Sequence, residues 1–344
     1  MVKSTLINKS IFDWVLVAKG IGIVLVVVGH FYPDESPEYW CEIRKIIYTF
    51  HMPLFFLLSG YLFDQTKYSY VELIKVKINR LIFPFLSIAV IFFLIKYVTG
   101  MFFLLKFPVK NNSVLLLFID PVNSYMPLLW FLYTLFLIFL FYSPIKKIVR
   151  NDYIILILFI FINIFIGTNY PVVDKVLINI PFFILGIILR SYIKIKGNII
   201  SGNYFHAVLF LLLFFLIYIV SVVTTFGDQI DRSLKIILGA IGSLCIINIS
   251  CMITSKFNKL SVKTKLLKKI GLHSMTIYLF HTLFVSAVYW GCRTLLEDFK
   301  LRFEMFALLS IVSGIIFPIF LEKMILQKNQ FSKRFILGLN STSS

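Results

Sequence analysis

The chain has 344 residues, 59% of them hydrophobic and 15% charged, with a mean hydropathy of +0.92. Soluble domains run at about 45–50% apolar and about 25% charged, so an ordinary soluble fold is excluded. The formal net charge of +18 would suggest nucleic acid in a soluble protein, and here it has to be read from where the charges fall.

The apolar excess recurs from end to end in runs of about 18 residues or more, the length a helix needs to cross a bilayer and far longer than a barrel strand. The expected fold class is all-α, a polytopic helical membrane protein. The first run follows MVKSTLINKS and ends in GHFYPDE with no small-residue cleavage site, so it reads as a retained first helix. Ten spans are expected, at about 14–31, 46–63, 81–97, 125–142, 153–168, 173–189, 204–223, 234–254, 273–291 and 303–321. In the segment 101–119, short apolar pieces flank Lys106, Pro108 and Lys110, which predicts an outer loop with interfacial or re-entrant pieces. No linker or internal repeat interrupts the pattern. It reads as a single membrane domain over 1–344, with a core at 11–322 and a basic, solvated cytoplasmic tail at 323–344.

Charge placement orients these spans. With the N-terminus in the cytoplasm, 22 of the 34 Lys and Arg residues fall on the cytoplasmic side, and the acidic residues split the other way. The charge is therefore a membrane-orientation signal, with lipid rather than nucleic acid as its partner. Both termini are expected in the cytoplasm, and the protein is expected as a multi-pass component of the cytoplasmic (inner) membrane. Cys245 and Cys251 read as membrane-buried thiols. Cys41 and Cys292 both fall on the outer side, where a disulfide stays open, and the four cysteines show no metal spacing.

Several polar residues sit where hydrocarbon disfavours them. Lys19 and His30 lie in the first span. Eleven residues of helix rise about 16 Å and turn about 1100°, close to three full turns, so both fall on one stripe, one near each membrane face. Gly20, Gly22 and Gly29 keep that helix slim enough for a neighbour or a thin ligand to approach. Lys19 by itself could snorkel to the headgroups, and Asp13 could pair with it or simply mark the interface. His51, in TFHMPLFFLLSGYLF, re-enters at a depth similar to His30. Ser59, beside Gly60, reads first as a packing residue. Lys75, Lys77 and Arg80 precede the third span. The Arg80 guanidinium is the one best shaped for phosphate. Trp130 has the position of an interfacial belt residue. His281, in HSMTIYLFH, is mid-membrane, either a hydrogen-bonded packing histidine or a site residue.

With DWVLVAKGIGIVLVVVGH, TFHMPLFFLLSGYLF and HSMTIYLFH in place, the sequence resembles the membrane-bound acyltransferase-3 family, in particular its fucose-4-O-acetylase-like and polysaccharide O-acetyltransferase branch. The segments around Trp130 (WFLYTLF) and Pro181 (PFFILG) are weaker echoes. The resemblance implies about ten spans and transfer of an acyl group, most often acetyl, from cytoplasmic acyl-CoA to a hydroxyl of a cell-surface glycan or its lipid-linked precursor. It also implies that His30 is the essential histidine and Lys19 the basic residue of the first-helix motif, where relatives more often carry Arg. The expectation is an O-acetyltransferase that uses acetyl-CoA as a substrate and binds no cofactor or metal. His30, Lys19 and His51 are the candidate catalytic residues, and Lys19, Lys77 and Arg80 the candidate acyl-CoA ligands. Asp13, Ser59, Trp130 and His281 are candidates for structural or acceptor-site roles. Two mechanisms stay open at this point, general-base catalysis by His30 and a covalent acyl-imidazole. The rival classes are a multi-span glycan transporter or flippase and a lipid-linked-sugar polymerase.

Overall fold

A computed structural model describes residues 2–101, 113–166, 168, 170–196, 202–224, 227–255, 261–295 and 303–339. Helices α1 (Val2–His30) and α2 (Glu38–Tyr61) come first. They are followed by α3 (Tyr70–Lys77), which runs through a π-helical turn at Ile78–Ile82 into α4 (Phe83–Gly100). Next come α5 (Ser113–Ile119), α6 (Trp130–Ile148), α7 (Asp152–Phe165), α8 (Pro171–Lys196) and α9 (Tyr204–Val223). The chain then forms α10 (Asp228–Ser255), α11 (Val262–Leu272), α12 (Ser274–Leu295), α13 (Phe303–Leu321) and α14 (Gln330–Phe335). No strand occurs among the described residues, as the all-α reading requires. Local signals set several starts. Ser69 and Glu72 form a reciprocal capping box at α3, and the Asn151, Asn203 and Asn329 side chains accept from the first turns of α7, α9 and α14.

Eight helical stretches are long and apolar enough to cross a membrane: Asp13–His30, Tyr70–Gly100, Pro127–Ile148, Pro171–Ile193, Tyr204–Val223, Asp228–Ser255, Ser274–Thr294 and Phe303–Leu326. The other two expected spans are also helical. However, α2 carries Glu38, Glu42, Arg44 and Lys45 in its first half, and α7 has only 14 residues, about 21 Å of rise. Within the segment 101–119, residues 102–112 lie outside the described residues, and Ser113–Ile119 is a short helix.

The chain divides into two compact units. The first comprises Met1–Tyr61 and Leu189–Glu322. There α1 packs against α2, α10, α11, α12 and α13. Hydrocarbon gives helices no hydrophobic reason to associate, so close packing through small residues has to do that work. A Cβ on Gly271 of α11 would overlap the Leu16 carbonyl oxygen of α1, and one on Gly20 of α1 would overlap the Leu267 carbonyl oxygen of α11. The two backbones therefore touch. The Lys19 end of α1 also carries an ion pair, Asp13 to Lys268 of α11 at 2.7 Å. In the same unit, buried Glu322 accepts hydrogen bonds from Thr276 at 2.5 Å and from His273 Nδ1 at 2.9 Å.

The second unit comprises Leu62–Ile188 and Lys323–Ser344. Its core is aromatic: the ring centroids of Phe63, Phe139, Tyr142 and Phe183 lie 5.0–6.0 Å apart. The Tyr142 hydroxyl donates to Asp152 at 2.6 Å, and Asp152 also pairs with Lys146 at 2.7 Å. The C-terminal tail departs from the solvated end expected from its polarity. Phe335 of α14 packs on Phe83 at 4.9 Å, and Gly338, at φ +63°, presses on the backbone of Arg80, where a Cβ would come 2.7 Å from the Arg80 Cα. Apolar residues hidden in the basic pattern (Phe331, Phe335, Leu337) allow this.

Gly271→Val is expected to lose about 1–3 kcal/mol of stability through overpacking, read as a lower melting temperature in detergent. Gly291→Ala, with nothing within 4 Å of the added methyl, is expected to melt no lower than the parent.

Candidate active site

The site is built at the end of α1 in the first unit. His30 is the last residue of α1, His51 lies in the middle of α2, and His281 is two turns into α12. The His30 ring centroid is 5.1 Å from that of His281 and 6.4 Å from that of His51, both nearly edge-to-face. Three histidines far apart in sequence thus converge on one point. Tyr48 extends the cluster, 5.9 Å from His30 and 4.9 Å from His51. His51 and His281 are buried, at 2% and 0% exposure, whereas His30 is half-buried.

Each ring is held in the same way. Nδ1 of His30 lies 2.7 Å from the Val26 carbonyl, Nδ1 of His51 lies 2.8 Å from Ile47, and Nδ1 of His281 lies 2.9 Å from Ile277 and 3.0 Å from Tyr278. A carbonyl can only accept, so every Nδ1 carries the proton. In the neutral ring Nε2 is then the lone-pair nitrogen, a proton acceptor. The Nε2 of His281 is buried with no hydrogen-bond partner among the described residues. A buried polar atom without a partner costs about 1–3 kcal/mol.

The remaining candidates fall into place unequally. Lys19 is half-buried on the same uninterrupted helix as His30, beside the Gly20–Leu267 crossing with α11. That crossing brings the lysines of α11, among them Lys268 and Lys269, to the Lys19 end. Asp13 pairs with Lys268 of α11 at 2.7 Å. The Ser59 hydroxyl donates to the Phe55 carbonyl at 2.7 Å, a bond within its own helix. In the second unit, Arg80 is exposed on the π-helical turn, the kind of irregularity that often marks function. Lys77 lies 3.5 Å over the Phe139 ring, and Trp130 receives Lys175 at 5.0 Å. All four cysteines are free.

Sequence reasoning missed Arg44. Its Nε donates to the Gly29 carbonyl at 2.7 Å, and its guanidinium stacks 3.7 Å over Tyr32. Arg44, Tyr48 and His51 follow i, i+4, i+7 spacing, so one face of a helix begun earlier than expected would have revealed it. Reading 32–45 as a link hid that face. Among the described residues no group of three or more His, Cys, Asp or Glu side chains could hold a metal. The arrangement can accept a proton from a hydroxyl brought to His30, at one end of a helix whose other end is cationic.

A family profile described as an acyltransferase domain, acyltransferase-3, matches residues 12–323. Among curated proteins, the nodulation protein NolL of Mesorhizobium japonicum is 24% identical over 192 residues, 53% of this chain and 49% of that protein. The chain thus spans about half the length of this relative. No solved structure matches it.

Histidine labelled with ¹⁵N is expected to show His30, His51 and His281 as Nδ1–H tautomers, with Nε2 pyridine-like. An Nε2–H signal at His30 would contradict the geometry.

Proposed function

Because the chain belongs to the acyltransferase-3 family, we propose that it is a membrane-bound O-acyltransferase. It moves an acyl group, acetyl as the family default, from cytoplasmic acyl-CoA to a hydroxyl of a cell-surface glycan or its lipid-linked precursor. One observation carries the reading down to residues: His30 presents an unprotonated Nε2 at the head of α1, backed by His281 and His51, with its other nitrogen tied to the Val26 carbonyl.

The chemistry follows from that nitrogen. His30 Nε2 takes the proton of the acceptor hydroxyl as its oxygen attacks the thioester carbonyl, a step in which general-base help is worth about 10²–10⁴-fold. The tetrahedral intermediate collapses, the carbon–sulfur bond breaks, and the CoA sulfur leaves with the proton that His30 gained. The ester product and free CoA balance the reactants, and His30 returns neutral. His51 and His281, both locked as Nδ1–H, orient the His30 ring by edge-to-face contact.

The cationic end of α1 suits the donor. Lys19, with the lysines of α11, offers charge to the CoA phosphates, and the rise of about 16 Å from Lys19 to His30 is on the order of an extended pantetheine arm. Lysine at position 19 supplies a point charge without the planar fork of the more usual arginine. In the second unit, taken by itself, Arg80 and Lys77 are proposed as acyl-CoA ligands from their own chemistry, Arg80 being exposed and of the right shape for phosphate. In this reading the Lys19 end faces the cytoplasm and the His30 end the far side.

The test is acyl transfer by purified, folded protein from labelled acetyl-CoA to the O-acetylated glycan of the source cell. His30→Ala is expected to lose about 10²–10⁴-fold in rate with its melting temperature kept. Undiminished transfer would overturn the assignment. Lys19→Gln is expected to raise the KM for acetyl-CoA by about tenfold or more with a smaller change in kcat, since it removes a charge that binds rather than reacts.

A further inference from the structure

Arg44 is placed beside His30 with most of its hydrogen-bonding capacity unspent. Its Nε is used on the Gly29 carbonyl, one of the last-turn carbonyls of α1 that have no partner within their helix. That bond and the stacking on Tyr32, 3.7 Å from the ring centroid, fix the plane of the guanidinium. Nη1 and Nη2 donate to no protein group among the described residues, and no carboxylate lies within ion-pair distance of Arg44 there. Two acids of the same segment are engaged elsewhere: Glu42 pairs with Lys45 at 2.7 Å and Glu35 with Arg293 at 2.8 Å. The cation is thus oriented and unneutralised.

The surroundings are those of a carbohydrate subsite. Tyr32 and Tyr48 flank the guanidinium, at 3.7 and 5.4 Å, and are 42% and 44% exposed. Tyrosine faces of this kind stack on sugar rings while their hydroxyls stay in contact with water. Tyr48 also touches both His30 and His51, so a ring lying on it is already at the base. A neutral sugar would use the aromatic faces and leave two charged N–H pairs idle. A carboxylate or phosphate would accept from both nitrogens at once, the geometry in which arginine binds most strongly.

We propose that Arg44, with Tyr32 and Tyr48, is an anion-reading acceptor subsite beside His30, selecting acceptors that carry a carboxylate or phosphate at or next to the accepting sugar. The inference rests on the acyl-transfer reading and adds the substrate class to it. Two sources share this chemistry, an acidic sugar of the glycan and the phosphate of a lipid-linked precursor.

Binding separates them without requiring turnover. The full chain in nanodiscs is titrated calorimetrically with 4-nitrophenyl β-glucuronide, glucose 1-phosphate and the neutral 4-nitrophenyl β-glucoside. At least one anionic probe is expected to bind about tenfold tighter than the glucoside. The tighter of the two identifies the source, carboxylate on the sugar or phosphate beside it. Arg44→Gln is expected to erase the difference, and Arg44→Lys, which keeps charge but loses the fork, to retain part of it. His30→Ala is expected to keep the preference, so failure of acyl transfer and failure of this subsite are read apart. Equal binding of all three probes, no binding of any, or a preference that survives Arg44→Gln in a protein melting like the parent would each overturn the proposal.

Discussion

A ring nitrogen that donates to a carbonyl one helical turn back is the interaction on which the site depends. A bilayer offers no water to satisfy a polar group, so an imidazole placed there must find its partner in protein. His30, His51 and His281 each find it in the backbone of their own helix. The solution is local and therefore costs no second side chain. It also has a chemical consequence, because spending Nδ1–H on the backbone leaves Nε2 bare. The need to satisfy one nitrogen in an apolar setting is what prepares the other to take a proton.

The rest of the first unit holds those three rings in register. α1 meets α2, α10, α11, α12 and α13, and its glycines let two of them come close. The Gly20 and Gly271 crossing fixes α11 at the Lys19 end, and Gly314 of α13 sits against Val27 and Val285 near the His30 end. A bulky residue at either place would separate helices that carry the site. The ion pair of Asp13 with Lys268 and the buried Glu322 with His273 and Thr276 then close the cationic end. One helix thus carries a charged foot and a basic head, which is what the proposed transfer from a phosphate-bearing donor to a hydroxyl demands.

Much of this was legible in the sequence. Helical class followed from run length, and Lys19, His30 and His51 stood out because hydrocarbon disfavours them. Their sharing of one stripe or one depth came from helix geometry alone. His281 was visible as an intramembrane histidine, but its approach to His30 depends on how α12 packs, a long-range fact that no local period encodes. Arg44 was lost because a polar half-helix looks like a loop to hydropathy. The C-terminal tail was misread for a related reason: its lysines and asparagines masked Phe335 and Gly338, whose contacts with Phe83 and Arg80 only folding reveals. The division into two compact units left no composition break, since apolar runs recur through both.

The central claim is that Nε2 of His30 is the atom that takes the acceptor proton. It is tested most directly by replacing His30 with 3-(pyrrol-2-yl)alanine, whose ring N–H stands at the Nδ1 position and keeps the bond to Val26, while a C–H takes the place of Nε2 and its lone pair. The account predicts a folded protein that binds acetyl-CoA and transfers nothing. Transfer at the parent rate would contradict it.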